Sequence, residues 1–370
     1  MKQNLLFLTA ATALSLLASC SSDNIVSEAS PQADAAIKFN TSLGNMTRGT
    51  TLYETSNFNE FKVVAFKAGV SEQYFSETVT KSEETWGMTT EHKWPSDGSD
   101  VTFFAYAPTS VNPSVNSTGA TLSVSPDASP ENHIDILTAY NKRGYNASNP
   151  NAAVNMKFKH ALAKIIVYAK NETTAANNYK VEVKGVKIRH INTTGTLSFQ
   201  TTSDGAPSWT GHSTIGSYLL GGSGGTDYTV NLDNSAKSIM NENAFLVIPQ
   251  TVQKWNQQSG DTDEGAAISI YCKITQGSSD TKIFPTASSS VEYAWLAVPF
   301  NRETTWDAGK SYIYTIRFFA DGTGGAGQGD PDDPNSGTGS VIQEVNIGFT
   351  TEIGDWEAGN STGESIPSES

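Results

Sequence analysis

The chain has 370 residues, 38 of them acidic and 24 basic, for a formal net charge of -14, with five histidines and two cysteines. This acidic balance argues against nucleic acid and against anionic membrane surfaces as partners. The length suits two domains better than one.

The first element is an export signal. Lys2 precedes an apolar run from Leu5 to Ala18, too short to span a bilayer and ending in small residues. Leu17-Ala18-Ser19-Cys20 looks like a bacterial lipobox, in which the Cys20 thiol takes a diacylglycerol. Residues 1–19 are therefore read as a lipoprotein signal peptide, with a chance cysteine after an ordinary signal as the alternative. If lipid occupies Cys20, Cys272 has no intrachain partner. Cys272 shares its parity with Ile268, Ile270 and Ile274, which makes it a small core hydrophobe on a strand face.

Beyond the signal no helical period is sustained. Short β-branched and aromatic runs bounded by Gly, Asn, Asp, Ser and Pro predict an all-β fold of sandwich type. In chain order the expected strands are Ala36 to Leu43, Phe61 to Lys67, Val101 to Ala107, Lys164 to Lys170, and Val181 to Arg189. Thr196 to Gln200, Asn243 to Ile248, Ala267 to Ile274, and Ser311 to Phe319 follow. Within the fifth run Val181 and Val183 are odd, whereas Val186 and Ile188 beyond Gly185 are even. A parity change at glycine predicts a β-bulge.

The polar, turn-rich stretch GYNASNPNAA places a domain boundary near Pro150, and the run DGTGGAGQGDPDDPNSGTGS from Asp321 to Ser340 reads as a mobile linker. After it, Val341, Val345, Ile347, Phe349 and Ile353 are all odd and share one face of an extended strand. Ile37, Phe39 and Leu43 alternate in the same way near the amino terminus.

Several short blocks, taken in order, resemble the fimbrillin family, the subunits of type V pili. They are Ile37-Lys38-Phe39 with Thr47-Arg48, Trp94-Pro95 with Val101-Thr102-Phe103-Phe104-Ala105-Tyr106-Ala107-Pro108, and Asp135-Ile136-Leu137-Thr138-Ala139. Phe158-Lys159-His160-Ala161-Leu162-Ala163-Lys164, Leu246-Val247-Ile248-Pro249-Gln250, Trp306 to Tyr314 and Ile347 to Trp356 follow. The resemblance implies two transthyretin-like β-sandwich domains, export as a lipoprotein, and removal of an amino-terminal strand by an arginine-specific protease. Its cut would fall between Arg48 and Gly49, and a strand from another subunit would fill the vacated groove.

On that reading residues 20–48 are a tether and removable strand bearing Ile37, Phe39 and Leu43. Residues 49–150 and 151–320 are the sandwiches, 321–340 the linker, and 341–370 the donor-strand segment with Val341, Val345, Ile347, Phe349 and Ile353. Burying Val345, Ile347, Phe349 and Ile353 is worth about 6 to 12 kcal/mol before ordering costs, and β-strand addition supplies backbone pairing as well. The partners implied are other pilus subunits, in a homo- or hetero-polymer, the arginine-specific protease, and outer-membrane lipid during export. The location implied is the cell outer membrane and the fimbrium, and a host or glycan receptor is left open. An ordinary surface arginine is the alternative for Arg48. Uncut, the chain would be a pilus anchor that keeps its lipid.

The residues offer little chemistry to a catalyst. His92, His133, His160, His190 and His212 lack zinc-site spacing, His160 reads as structural, no Walker loop occurs, and the glycine cluster Gly221 to Gly225 reads as a loop. No cofactor and no metal is expected. Asp330, Asp332 and Asp333 lack the closing glutamate of a calcium loop and read as a solvated linker. The competing classes are a monomeric surface glycan-binding lipoprotein, which needs an exposed aromatic platform from Trp86, Trp94, Trp209 or Trp255, and a surface hydrolase, which needs two convergent carboxylates.

Overall fold

The computed structural model describes residues 34–43, 57–174, 178–222, 228–255, 265–286, 289–320, 325–336 and 341–356. Among these residues the chain is all-β, with one short 3-10 turn, Pro130–Asn132. The strands are β1 (Phe39–Leu43), β2 (Glu60–Lys67), β3 (Gln73–Ser82), β4 (Thr85–Met88), β5 (Val101–Ala107), β6 (Ser114–Asn116), β7 (Gly119–Val124) and β8 (Leu137–Arg143). Then come β9 (Val154–His160), β10 (Ala163–Asn171), β11 (Tyr179–Ser198), β12 (Ser208–Gly221), β13 (Val230–Asn231), β14 (Lys237–Ser238), β15 (Phe245–Val247) and β16 (Gln250–Val252). The last are β17 (Ala267–Gln276), β18 (Thr281–Phe284), β19 (Ala294–Pro299), β20 (Thr304–Trp306), β21 (Lys310–Phe318), β22 (Gly325–Gly329) and β23 (Val341–Asp355).

The first sheet closes into a barrel in the order β1-β4-β3-β2-β5-β8-β9. Phe61, Val63 and Ala65 of β2 and Val101, Phe103 and Ala105 of β5 point into it, with Phe58, Phe158 and Met156. The residues between them, Val64, Phe66, Phe104 and Tyr106, are buried as well, in a separate cluster with Leu162, Leu197, Phe199, Leu246, Ile248 and Trp356. Strands covered on both faces read as continuous apolar runs, which is why EFKVVAFK and VTFFAYA show little alternation.

The second sheet runs β14-β10-β21-β23-β22-β19-β17-β11-β7-β6, with β12, β13, β15 and β18 attached, and β16 pairs with β20 apart from it. Its core joins Ile165 and Val167 of β10 and Tyr314 and Ile316 of β21 to Val183 and Ile188 of β11 and Ile270 and Ile274 of β17. Cys272 lies opposite Val183 in this core, fully buried, and burial pushes its thiol pKa up.

The bulge falls where the parity change puts it. Against β17 the register of β11 shifts between Val183 and Gly185. Val181, Val183, Val186 and Ile188 are consequently all buried on one side. A Cβ on Gly185 would meet the Gly222 backbone nitrogen at 2.8 Å, so the close approach of β12 requires glycine.

Three expectations differ from the observed structure. Thr196 to Gln200 is not a separate strand: Thr196 to Ser198 are the far end of the long β11, which continues past a second register shift at Arg189 and Ile191, and Phe199 and Gln200 follow it. β9 remains in the first barrel, so the chain changes sheet at Ala161 and Leu162, downstream of Pro150. Residues 325–336 of the glycine- and aspartate-rich stretch are built into the fold, as β22 and a turn in which Asp330, Asp333 and Ser336 are buried.

Candidate functional site

The two ends of the described chain are held in different ways. β1 closes the barrel by running parallel to β9 through five register pairs, Phe39 with Val154 to Leu43 with Phe158. On its other edge it meets β4 at one pair, Phe39 with Trp86. Just before it, the Ile37 amide donates to the His92 carbonyl at 2.7 Å and the Trp94 amide to the Ala35 carbonyl at 3.0 Å. The side chains alternate: Ile37 and Phe39 are buried, Asn40 and Ser42 exposed, and Leu43 half-buried against the barrel core. Phe39 sets its edge against Phe61 and Phe103, at centroid distances of 6.0 and 5.5 Å. Burial of Ile37 and Phe39 contributes about 3 to 6 kcal/mol to seating this short strand.

At the other end, β23 is an interior strand of its own sheet. It pairs antiparallel with β21 over nine positions, from Ile347 opposite Phe318 to Asp355 opposite Lys310, and with β22 on its other edge. Ile347 is buried in the second core and Ile353 packs against it. The backbone of Val341, Val345 and Phe349 belongs to the strand, and their side chains lie outside the described residues. Cys20, Arg48 and Gly49 also lie outside them.

The turn between β22 and β23 is fastened to the outer face of β11. Past the Gly185 bulge, Lys187 and Arg189 point outward, and both are nonetheless buried. Arg189 grips Asp332 with two hydrogen bonds of 3.0 Å, while Lys187 Nζ lies 2.9 Å from Asp330 and 3.4 Å from Asp332. Asp333 accepts the Trp295 amide at 2.9 Å. Burial works against the Asp332 carboxylate, yet Arg189 and Lys187 outweigh it and hold its pKa below the ordinary value. The Lys187 ammonium and Arg189 guanidinium also face the Trp295 and Trp255 rings at 5.1 and 5.3 Å. The three aspartates are therefore partners of cations and of an amide. Among the described residues no group of three His, Cys, Asp or Glu could hold a metal.

A second fastening follows β23. Trp356 stacks face to face on His160, with centroids 4.1 Å apart and planes 5° from parallel. The Lys164 ammonium lies 5.8 Å from the Trp356 ring, and the Trp356 amide donates to the Gly309 carbonyl at 2.8 Å. His160 Nδ1 is 2.9 Å from the Asp135 carboxylate, and both groups are buried. This His–Asp pair is sealed from solvent under the tryptophan, and Asp135 orients the ring on which Trp356 stacks. His160 and Lys164 were visible in one sequence block, and Asp135 in another; their convergence on Trp356 carries no local sequence signal.

Among the described residues no tryptophan is exposed: Trp94, Trp295, Trp306 and Trp356 are buried, and Trp86, Trp209 and Trp255 half-buried. The large exposed apolar side chains are Val70, Tyr74, Ile134 and Ile215, which form no tryptophan platform.

Comparison with known proteins places these features in a family context. The fimbrium subunit Fim1C of Phocaeicola vulgatus is 27% identical over 208 residues, which is 48% of this chain and 55% of that protein. The chain thus spans about half the length of the curated relative it matches. A crystal structure of a fimbrial protein from Bacteroides vulgatus shares the fold, with a TM-score of 0.53 and 16% identity over 87% of this chain and 99% of that one. The family described as fimbrillin-like, one of structural and adhesive proteins and not of enzymes, matches residues 47–356, which take in most of both sheets, and the chain belongs to it.

Proposed function

We propose that the chain is a fimbrium subunit that polymerises by donor-strand exchange at the cell surface and supports adhesion. It is exported as a lipoprotein through Cys20 and cut between Arg48 and Gly49 by an arginine-specific protease, and it assembles with other pilus subunits. In this scheme β1 leaves with the leader, its Ile37, Phe39 and Leu43 vacate the barrel seam, and Val341, Val345, Ile347, Phe349 and Ile353 of another subunit's β23 take their place.

The observation that carries the reading is the position of β1. It lies ahead of Arg48 in the chain, closes the barrel as a five-residue strand, and meets β4 at one register pair. A strand so placed can be withdrawn without breaking the ladders among β2, β3, β5 and β8. The vacated edge and apolar row fit an incoming strand of alternating large apolar residues. The half-buried and buried tryptophans give no comparable support to a glycan-binding platform.

Digestion of the purified chain with an arginine-specific protease tests the proposal. Cleavage after Arg48 is expected to yield oligomers that survive detergent, and Arg48→Ala to remain monomeric. Oligomers of equal yield from the variant, or monomer alone after verified cleavage, would overturn it.

A further inference from the structure

β9 carries both ends of the described chain. On its inward face Val154, Met156 and Phe158 line the barrel core, and the next residue of that row, His160, is the one on which Trp356 stacks. The first three positions are the ones β1 covers, since Phe39, Thr41 and Leu43 lie opposite Val154, Met156 and Phe158. Phe158 is wedged against Phe58 and Phe61 at 4.9 and 5.0 Å. Phe61 in turn touches Phe39. One strand therefore has β1 along most of its length and, at its tip, the residue that follows β23.

The His160–Trp356 contact is closed at a cost. His160 Nε2 and Trp356 Nε1 are both buried with no hydrogen-bond partner among the described residues. Opening the contact hands both nitrogens to water, which offsets part of the apolar burial that is lost. Coupling between distant sites requires an element with two arrangements, and this partial offset makes the fastening a place where a second one costs less.

We propose that His160 is the lock on the carboxy-terminal strand and that β9 couples the two ends of the chain, so that withdrawal of β1 loosens Trp356 and frees β23. This rests on the donor role given to β23 above. The order it imposes is useful to a polymer: a subunit keeps its donor strand in its own sheet until its acceptor seam is vacated. Asp135 holds the His160 ring in the plane on which Trp356 stacks, and His160 acts as a positioning residue.

Amide hydrogen exchange of the full-length chain, read at residues 347–353, tests this. Phe39→Ala, which unseats β1 without proteolysis, is expected to speed exchange there by about threefold or more and to leave β17 and β19 unchanged. Phe39→Leu serves as the milder perturbation if the alanine variant does not fold. Trp356→Ala and His160→Ala are expected to speed the same amides and to abolish the response to Phe39→Ala, whereas His160→Phe, which keeps a ring under Trp356, retains protection. Exchange at 347–353 that ignores the Phe39 substitutions, or effects of Phe39→Ala and Trp356→Ala that simply add, would overturn the coupling. Failure of the donor role would look different: β23 loosens as described, yet cleaved protein forms no oligomers.

Discussion

His133 shows how much a single buried side chain organises without leaving a sequence signal. Its Nδ1 accepts the Leu246 amide at 2.9 Å, so its proton is on Nε2, which donates to the Asp127 carbonyl at 2.7 Å. The ring thereby ties the loop before β8 to β15. Desolvation lowers its pKa from 6.5 to about 4, because protonation would strand a charge in the interior and place a second N–H against the Leu246 amide. The unfolded chain takes up this proton near pH 6.5, while the folded chain resists it down to about pH 4. The stability involved is present above pH 6.5 and is lost as the pH falls through this window, at up to about 3 kcal/mol in all. Urea unfolding of wild type and His133→Gln between pH 4 and 7 checks it: the wild type is expected to lose stability more steeply by one proton. Equal slopes would assign the pH dependence to carboxylates. In the sequence His133 was one of five scattered histidines, because both its partners come from backbone, and backbone partners leave no residue pattern.

Elements were legible where periodicity alone decides them. Gly185 with its parity change announced the bulge in β11, and the same bulge turns Lys187 and Arg189 to the outer face. Gly185→Ala is expected to destabilise the chain by about 1 to 3 kcal/mol, since its Cβ would meet backbone atoms of β12 and the residue after it at 2.8 to 3.1 Å. Denaturant midpoints measure the loss, and an unchanged midpoint would mean that β12 moves freely. Where composition alone was the guide the reading failed. The stretch around Asp330 looks solvated because glycine, proline and aspartate rarely build a core. Its carboxylates are instead matched to Lys187 and Arg189, over 140 positions away in the chain. β21 and β23 were both recognisable as strands in the sequence, but their pairing with each other, and β22, were not, since alternation fixes a face and not a partner.

At the scale of the whole molecule, the two sheets are joined by more than a connecting peptide. Between β5 and β8 the chain leaves the barrel, and β7 pairs with the far end of β11 while β6 extends that edge. The excursion encloses a shared cluster to which β2 and β5 give Val64, Phe66, Phe104 and Tyr106, β11 and β15 bring Leu197 and Leu246, and Trp356 joins from just beyond β23. The continuous apolar runs of β2 and β5 hinted at this second buried face, whereas the turn-rich run near Pro150 pointed to a separation that the sheets do not observe. A cluster drawing on both sheets makes the folding of each depend on the other, so the full chain is expected to unfold in one cooperative transition. Phe104→Ala, at a position 1% exposed within this cluster, should cost about 3 to 5 kcal/mol and lower the stability of both sheets together. Calorimetry with hydrogen exchange read separately on the barrel and on β17 decides it. A second transition, or loss of protection confined to the barrel, would mean that the shared cluster does not couple the sheets and that β9 has no rigid frame through which to link the two ends of the chain.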